Sequence, residues 1–384
     1  MLSAQWSHAE ETMPASSEFA IDLYHQLDTQ PGNVFFSPLS IRSALAMTSA
    51  GAKGKTLEEM NQVLRLSGPN PHEAMGEMLR ELAKEPKERD AKLVLRIANA
   101  IWGQERYPFD PAYVKLVREQ YQAEARSVDF GNEPAARKAI NDWVEEKTNK
   151  KIVDLIPAGI LNHETRLVLT NAVYFNARWE HEFSKESTSD QPFHVSMDKT
   201  TSVPTMRQTA HFGYAETDDL QAIDMPYAGH DTSMLILLPK AGDGLGAMEK
   251  NLSAKQLAQV LQSIQYRRID LSLPRFKIEQ SAALSQVLQA LGMKLAFDAD
   301  KADFSGMCTA EPLYIGEVLH KAFVRVDEEG TEAAAATAVM MGAGAAMIRE
   351  EPLRVQVDRP FVFVIRDQKT GEILFMGRVM NPAG

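Results

Sequence analysis

An α+β fold is predicted by three features of the sequence. Helical spacing of apolar residues is concentrated early in the chain, buried strand runs dominate later, and two strand runs near the C-terminus flank a five-residue loop. Phe19, Ala20, Leu23, Tyr24 and Leu27 share one helical face, with a cap expected at Ser16 or Ser17. Ser37-Pro38 marks a second helix start, because the Ser side chain accepts an orphan amide and Pro suits the first helical position. Ile41, Ala44, Leu45 and Thr48 continue that stripe, and Gly51 closes it. Thr56-Leu57-Glu58-Glu59 reads as a capping box for a third helix that stops before Gly68-Pro69. Leu93 to Trp102 and Leu167 to Phe175 are apolar runs expected to be strands buried on both faces. Ser233 to Leu238, Ile269 to Leu273 and Phe276-Lys277-Ile278 add shorter strands. Phe361 to Ile365 and Ile373 to Val379 flank Asp367-Gln368-Lys369-Thr370-Gly371 as a hairpin.

A chain of 384 residues exceeds the length at which one core usually stops growing, roughly 250–300 residues. Yet no Pro/Ser/Gly linker or internal repeat divides it, so one domain over 1–384 is expected. The net charge of −11 argues against nucleic acid and anionic membranes as partners. Cys308 is the only cysteine, so no intramolecular disulfide exists and stability rests on the core. The N-terminus has no basic start and apolar run, and no stretch reaches the ~18 apolar residues of a membrane helix. No metal or cofactor is expected. The nine histidines are scattered without ligand spacing, and Gly242-Asp243-Gly244-Leu245-Gly246 lacks the phosphate-cradling pattern. Arg80, Lys84, Lys87, Arg89 and Lys92 alternate with Glu77, Glu81, Glu85, Glu88 and Asp90, which makes a mixed solvated face rather than a polyanion site.

One segment departs from the rest. Ala333 to Ile348 is sixteen residues without a charge, between Asp327-Glu328-Glu329 and Arg349-Glu350-Glu351-Pro352. Gly342 and Gly344 break any helix there, and strand-like Leu353 to Val357 follows directly. A long loop inside a compact domain is usually functional, and its small side chains suit entry into a crowded place.

The segment Glu328-Glu329-Gly330-Thr331-Glu332-Ala333-Ala334-Ala335-Ala336-Thr337-Ala338 resembles the hinge of inhibitory serpins. Asn33 to Ile41, Gly51 to Thr56, Thr170 to Phe175 with Trp179, Leu273 to Phe276, Ala302 to Gly306, His320 to Phe323 and Asp358 to Phe361 resemble further signatures of that family, in its order. Together they run from about Phe19 to Pro382. The resemblance implies three β-sheets, about eight or nine helices, and an exposed reactive loop over about 328–352. It also implies a suicide inhibitor of serine-type endopeptidases rather than an enzyme. The protease cuts the loop, and the cut loop inserts into the central sheet as a new strand while the acyl-enzyme is dragged along.

The resemblance assigns roles to particular residues. Glu328, Gly330, Thr331, Ala333, Ala335 and Thr337 form the hinge; counting from Thr331, alternate residues face the core and all are small and uncharged. Ser37, Ser40, Asn171 and His320 form a buried shutter beneath the sheet. A Ser-His hydrolase is the rival reading of those four, but no Gly-x-Ser-x-Gly elbow surrounds either serine. Trp179 and Arg275 belong to the breach at the top, with Arg275 expected to pair with Glu328. The reactive bond in the family register is Gly344–Ala345, with Met341, Met347 and Arg349 as alternatives. Gly344 or Met suits an elastase-, subtilisin- or chymotrypsin-like protease, whereas Arg349 suits a trypsin-like one. A papain-like cysteine protease is a further alternative. A monomer is expected, extracellular by resemblance, with the cytoplasm as the alternative.

Overall fold

Helices dominate the first part of the chain and strands the rest, as the apolar spacing predicts. The computed structural model describes residues 13–29, 31–84, 94–106, 108–331 and 351–384. In chain order the elements begin α1 (Ser16–Leu27), β1 (Val34–Phe36), α2 (Pro38–Ser49), α3 (Gly54–Val63), α4 (Pro71–Leu82), β2 (Val94–Gln104), α5 (Pro111–Tyr121), β3 (Glu124–Val128), α6 (Glu133–Lys147) and β4 (Leu167–Arg178). They continue with β5 (Ser189–Ser196), β6 (Lys199–Glu216), β7 (Leu220–Pro226), β8 (Thr232–Pro239), α7 (Leu245–Asn251), α8 (Ala254–Gln262), β9 (Gln265–Pro274), β10 (Phe276–Ala283) and α9 (Ser285–Ala290). The last are β11 (Glu317–Val326), β12 (Gly330–Thr331), β13 (Leu353–Gln356), β14 (Phe361–Asp367) and β15 (Ile373–Val379).

Local signals set most helix starts, and tertiary contacts override two of them. Ser37 caps α2, accepting from the Ser40 amide at 3.2 Å, with Pro38 in the first turn. At α1 the cap is Ala15 rather than Ser16 or Ser17. Ser16 Oγ instead donates to the buried carboxylate of Glu372 at 2.5 Å. The expected capping box at Thr56 does not form either. α3 begins at Gly54, and Thr56 Oγ1 accepts from the Asp303 amide at 3.0 Å. In both cases a distant partner takes the hydroxyl that a local cap would have used.

Hydrogen bonding joins the described strands into two networks. The nine-stranded one has the order β1-β15-β14-β8-β7-β6-β9-β13, with β5 on β6. Its 18-residue strand β6 carries β5 along 199–205, β9 along 205–214 and β7 along 213–216. Two of the three expected sheets therefore share one strand and run on as a single ladder. The six-stranded sheet has the order β10-β11-β12-β4-β2-β3. One core fills the space between the two sheets, with Val173, Phe175, Ala322, Val324 and Val326 meeting Ile223, Ile236, Phe361, Phe363 and Ile365. Another lies among α1, α2, α8 and the nine-stranded sheet. The opposite face of β4 contributes Val168 and Ala172 to a third cluster, under Ile140, Trp143 and Val144 of α6. Strand β4 thus buries both faces, which explains its unbroken apolar sequence.

Candidate functional site

The site is the seam between β4 and β11, which changes character along its length. At its lower end 168–172 of β4 pairs in parallel with 317–321 of β11. At its upper end the two-residue strand β12 sits between them, with Thr331 opposite both Val326 and Ala177, and Gly330 opposite Arg178. Among the described residues, 173–176 and 322–325 form no ladder with each other. A parallel pair with a short wedge at one end is a sheet with room for a strand.

A tight turn aims the wedge. The Asp327 amide donates to the Gly330 carbonyl at 3.0 Å, and Gly330 has φ of 152°. A Cβ there would lie 2.1 Å from the Ala177 carbonyl oxygen, so only glycine fits. The turn is stitched to the end of β4 and beyond. Trp179 donates from its amide to Glu329 O (3.0 Å) and from Nε1 to Asp327 O (3.0 Å), and Phe183 N donates to Glu328 O (2.9 Å).

Side chains reinforce this anchoring. Arg275 donates to Glu328 Oε1 through Nε at 2.8 Å and through a second guanidinium nitrogen, and Thr188 Oγ1 donates to the same oxygen. Burial alone would raise the Glu328 carboxyl, but these hydrogen bonds outweigh it and hold it below the usual range. Lys185 Nζ lies 2.7 Å from Glu329 Oε1 on the exposed side. On the buried side the Thr331 hydroxyl meets the Tyr227 hydroxyl at 2.6 Å, and the Tyr227 ring stacks on Trp179 with centroids 4.5 Å apart. Arg325 Nε lies 3.2 Å from Asp327 Oδ2.

The lower seam is closed by a buried polar network. His320 and Asn171 are register partners across it. The Ser37 amide donates to His320 Nε2 at 3.1 Å, so that nitrogen is unprotonated and Nδ1 carries the hydrogen. Nδ1 donates to Asn171 Oδ1 at 2.9 Å. The Asn171 amide group then donates to Ser40 O at 2.8 Å, to Asn99 Oδ1 at 2.7 Å and to Ser40 Oγ. Asn99 passes the chain on to Ser43 Oγ at 2.9 Å, and Ser37 Oγ donates to Leu374 O at 2.7 Å. Burial lowers the His320 pKa to about 3, which keeps the ring neutral. Neither serine hydroxyl is hydrogen-bonded to the imidazole; its ring nitrogens are committed to a backbone amide and to Asn171. The geometry is that of a structural lock rather than a nucleophile and its base.

The structure therefore brings Ser37, Ser40, Asn171 and His320 together, and gathers Glu328, Gly330, Thr331, Trp179 and Arg275 at the other end of the same seam. Ala333, Ala335, Thr337, Met341, Gly344, Ala345, Met347 and Arg349 lie outside the described residues. Sequence reasoning missed Asn99, Ser43, Thr188, Lys185 and Tyr227. A signal existed for Asn99, a polar residue inside an apolar strand run. Tyr227 and Thr188 carry no local signal, since their partners lie more than a hundred positions away.

The chain is similar to known proteins along nearly its whole length. The family profile described as Serpin (serine protease inhibitor) covers residues 14–382. An uncharacterized serpin-like protein of Thermococcus kodakarensis is 45% identical over 96% of this chain and 85% of its own length. Leukocyte elastase inhibitor A of Rattus norvegicus is 38% identical, with 97% of this chain and 100% of that protein covered. Among solved structures, Serpin48 of the insect Tenebrio molitor superposes with a TM-score of 0.85 at 33% identity, covering 95% of this chain and 96% of that one. Sequence and fold agree along nearly the whole length, and the chain belongs to the serpin family.

Proposed function

We propose that this single-domain serpin is a suicide inhibitor of serine-type endopeptidases with small or apolar primary pockets. The observation that carries the reading is β12: Thr331 already lies between β11 and β4, where a growing strand would begin. Continued in that register, the odd-numbered loop residues meet core residues of matching character. Ala333 falls opposite Phe175 and Val324, Ala335 opposite Val173 and Ala322, and Thr337 opposite Asn171 and His320. Val339 then falls opposite Leu169 and Val318, and Met341 opposite Leu167, where β4 begins. On insertion the small residues would meet the intersheet core, the Thr337 hydroxyl would meet the polar lock, and the larger apolar residues would meet the lower core, whose described residues belong to the two main clusters.

In this reading Glu328, Gly330, Thr331, Ala333, Ala335 and Thr337 are the hinge. Ser37, Ser40, Asn171 and His320 are the shutter, and Trp179 and Arg275 hold the breach. Ten or so inserted residues, at about 1 kcal/mol net per hydrogen bond, would release on the order of 10 kcal/mol. That is comparable with the ~5–15 kcal/mol that stabilises a folded domain, and is enough to distort a tethered enzyme.

The same register bears on the reactive bond. The seam ends near Met341, so a cut after Gly344 leaves 342–344 as tether, roughly 10 Å of chain. A cut after Arg349 leaves 342–349, roughly 27 Å, and the protease would escape compression. Gly344–Ala345, with Met341 as the nearest alternative, is favoured over Met347 and Arg349. Small-residue specificity is in keeping with the rat relative described as a leukocyte elastase inhibitor. We assign the chain no catalytic residue and no metal or cofactor. A monomeric state is part of the reading. An extracellular site of action rests on family resemblance alone, with the cytoplasm as the alternative.

Incubation with elastase-, subtilisin-, chymotrypsin- and trypsin-like enzymes tests the reading. The expected result is an SDS-stable complex with one of the first three, and mass spectrometry showing a released peptide that begins at Ala345. Clean loop cleavage by every enzyme, with full protease activity retained, rejects the inhibitor in favour of a binding or storage role. A peptide beginning at Glu350 rejects the tether argument alone.

A further inference from the structure

The seam contains a contact whose two partners belong to different mechanical bodies. Thr331 sits on the hinge, next to the loop that carries the bait. Tyr227 sits just after β7, and its backbone is fixed by Tyr227 N to Thr232 O at 3.0 Å and by Ala228 N to Arg178 O at 2.8 Å. Its ring is wholly buried, stacked on Trp179 and edge-on to Phe175 at 5.3 Å. The hydroxyls of the two residues meet at 2.6 Å among apolar neighbours, Phe175, Ala177 and Val326.

We propose that Tyr227 is a positioning residue that keeps Thr331 seated in the seam before the loop is cut, and so sets the partition between trapping and release. The proposal rests on the inhibitor reading above. Ordering the first residue of a strand costs conformational entropy with few hydrogen bonds in return, whereas each later residue extends a formed ladder. A seated Thr331 removes that first step, so the strand elongates at once in the race against deacylation. Buried and desolvated, the hydroxyl pair is strong, and removing either partner orphans the other. An orphaned hydroxyl shifts the seated-to-unseated equilibrium by roughly ten-fold.

The test uses the full-length chain and its trapping protease, with Tyr227→Phe, Thr331→Val and the double variant. Tyr227→Phe keeps the ring stack and removes only the hydroxyl. The number of inhibitor molecules consumed per enzyme trapped should rise several-fold in each single variant. In the double variant it should return toward the wild-type value, because both polar atoms are gone. Hydrogen exchange of the Thr331 amide, which needs no protease, should be about ten-fold faster in each single variant. Unchanged stoichiometry and exchange in Tyr227→Phe overturn the proposal, as does a double variant no better than the singles. If the wild type traps no enzyme but the exchange effect appears, the positioning role stands and the inhibitor reading fails.

Discussion

The two ends of the β4/β11 seam are held by different physics. At the top the strands are already parted by Gly330 and Thr331, and the wedge is held from outside by Arg275 on Glu328 and Lys185 on Glu329. At the bottom five residues of each strand pair directly, across a buried network of His320, Asn171, Asn99, Ser40 and Ser43. Partly exposed ion pairs are weakened by solvent and salt, whereas a satisfied buried network is costly to break in part. The difference gives the seam a direction: it is ready to open at the wedge and resists opening at the lock.

The contrast is broken most severely at the wedge itself. Thr331→Arg buries a cation without a partner, at a cost of several kcal/mol, so trapping should fall by at least about a hundred-fold while loop cleavage continues. Gel analysis of complex against cleaved inhibitor checks it, and undiminished trapping would mean that Thr331 does not enter the sheet. Next in size is Asn171→Ala, which orphans His320 Nδ1–H and Asn99 Oδ1 together. A loss of about 2–4 kcal/mol in denaturant unfolding is expected.

Protonation probes the same lock more gently. With its pKa lowered to about 3 in the fold, His320 takes up its proton readily only in the unfolded chain between about pH 6.5 and 3. The unfolded state then binds more protons, so stability is full above about pH 6.5 and falls as pH drops, by up to about 1.4 kcal/mol per pH unit from this group. His320→Gln, which retains a donor and an acceptor, should flatten the profile between pH 6.5 and 4. An equally steep profile in the variant would remove His320 from the account. The smallest effect belongs to Lys185→Ala, whose ammonium is mostly exposed. Its unfolding midpoint should match wild type within error; a loss as large as that of Asn171→Ala would erase the distinction between the ends.

How far the sequence discloses this arrangement depends on how local each cause is. The Ser37-Pro38 helix start and the apolar run of β4 act through their neighbours or their own burial, so they are legible in one dimension. The caps expected at Ser16 and Thr56 fail because Glu372 and Asp303 claim those hydroxyls from afar. Tyr227 is silent for the same reason: nothing around it announces a hydroxyl partner at Thr331. Family resemblance names Asn171 and His320, but only the fold shows them facing each other as register partners of β4 and β11.

Growth of β12 down the seam in its present register, once the loop is cut, would cover the facing edges of β4 and β11. Hydrogen exchange measured on the intact chain, and on the chain cut once in the loop, tests it most directly at 173–176 and 322–325. Slow exchange is expected to spread along both strands from the Thr331 end toward Asn171 and His320 after cleavage. Exchange in these segments that is the same before and after the cut would contradict it.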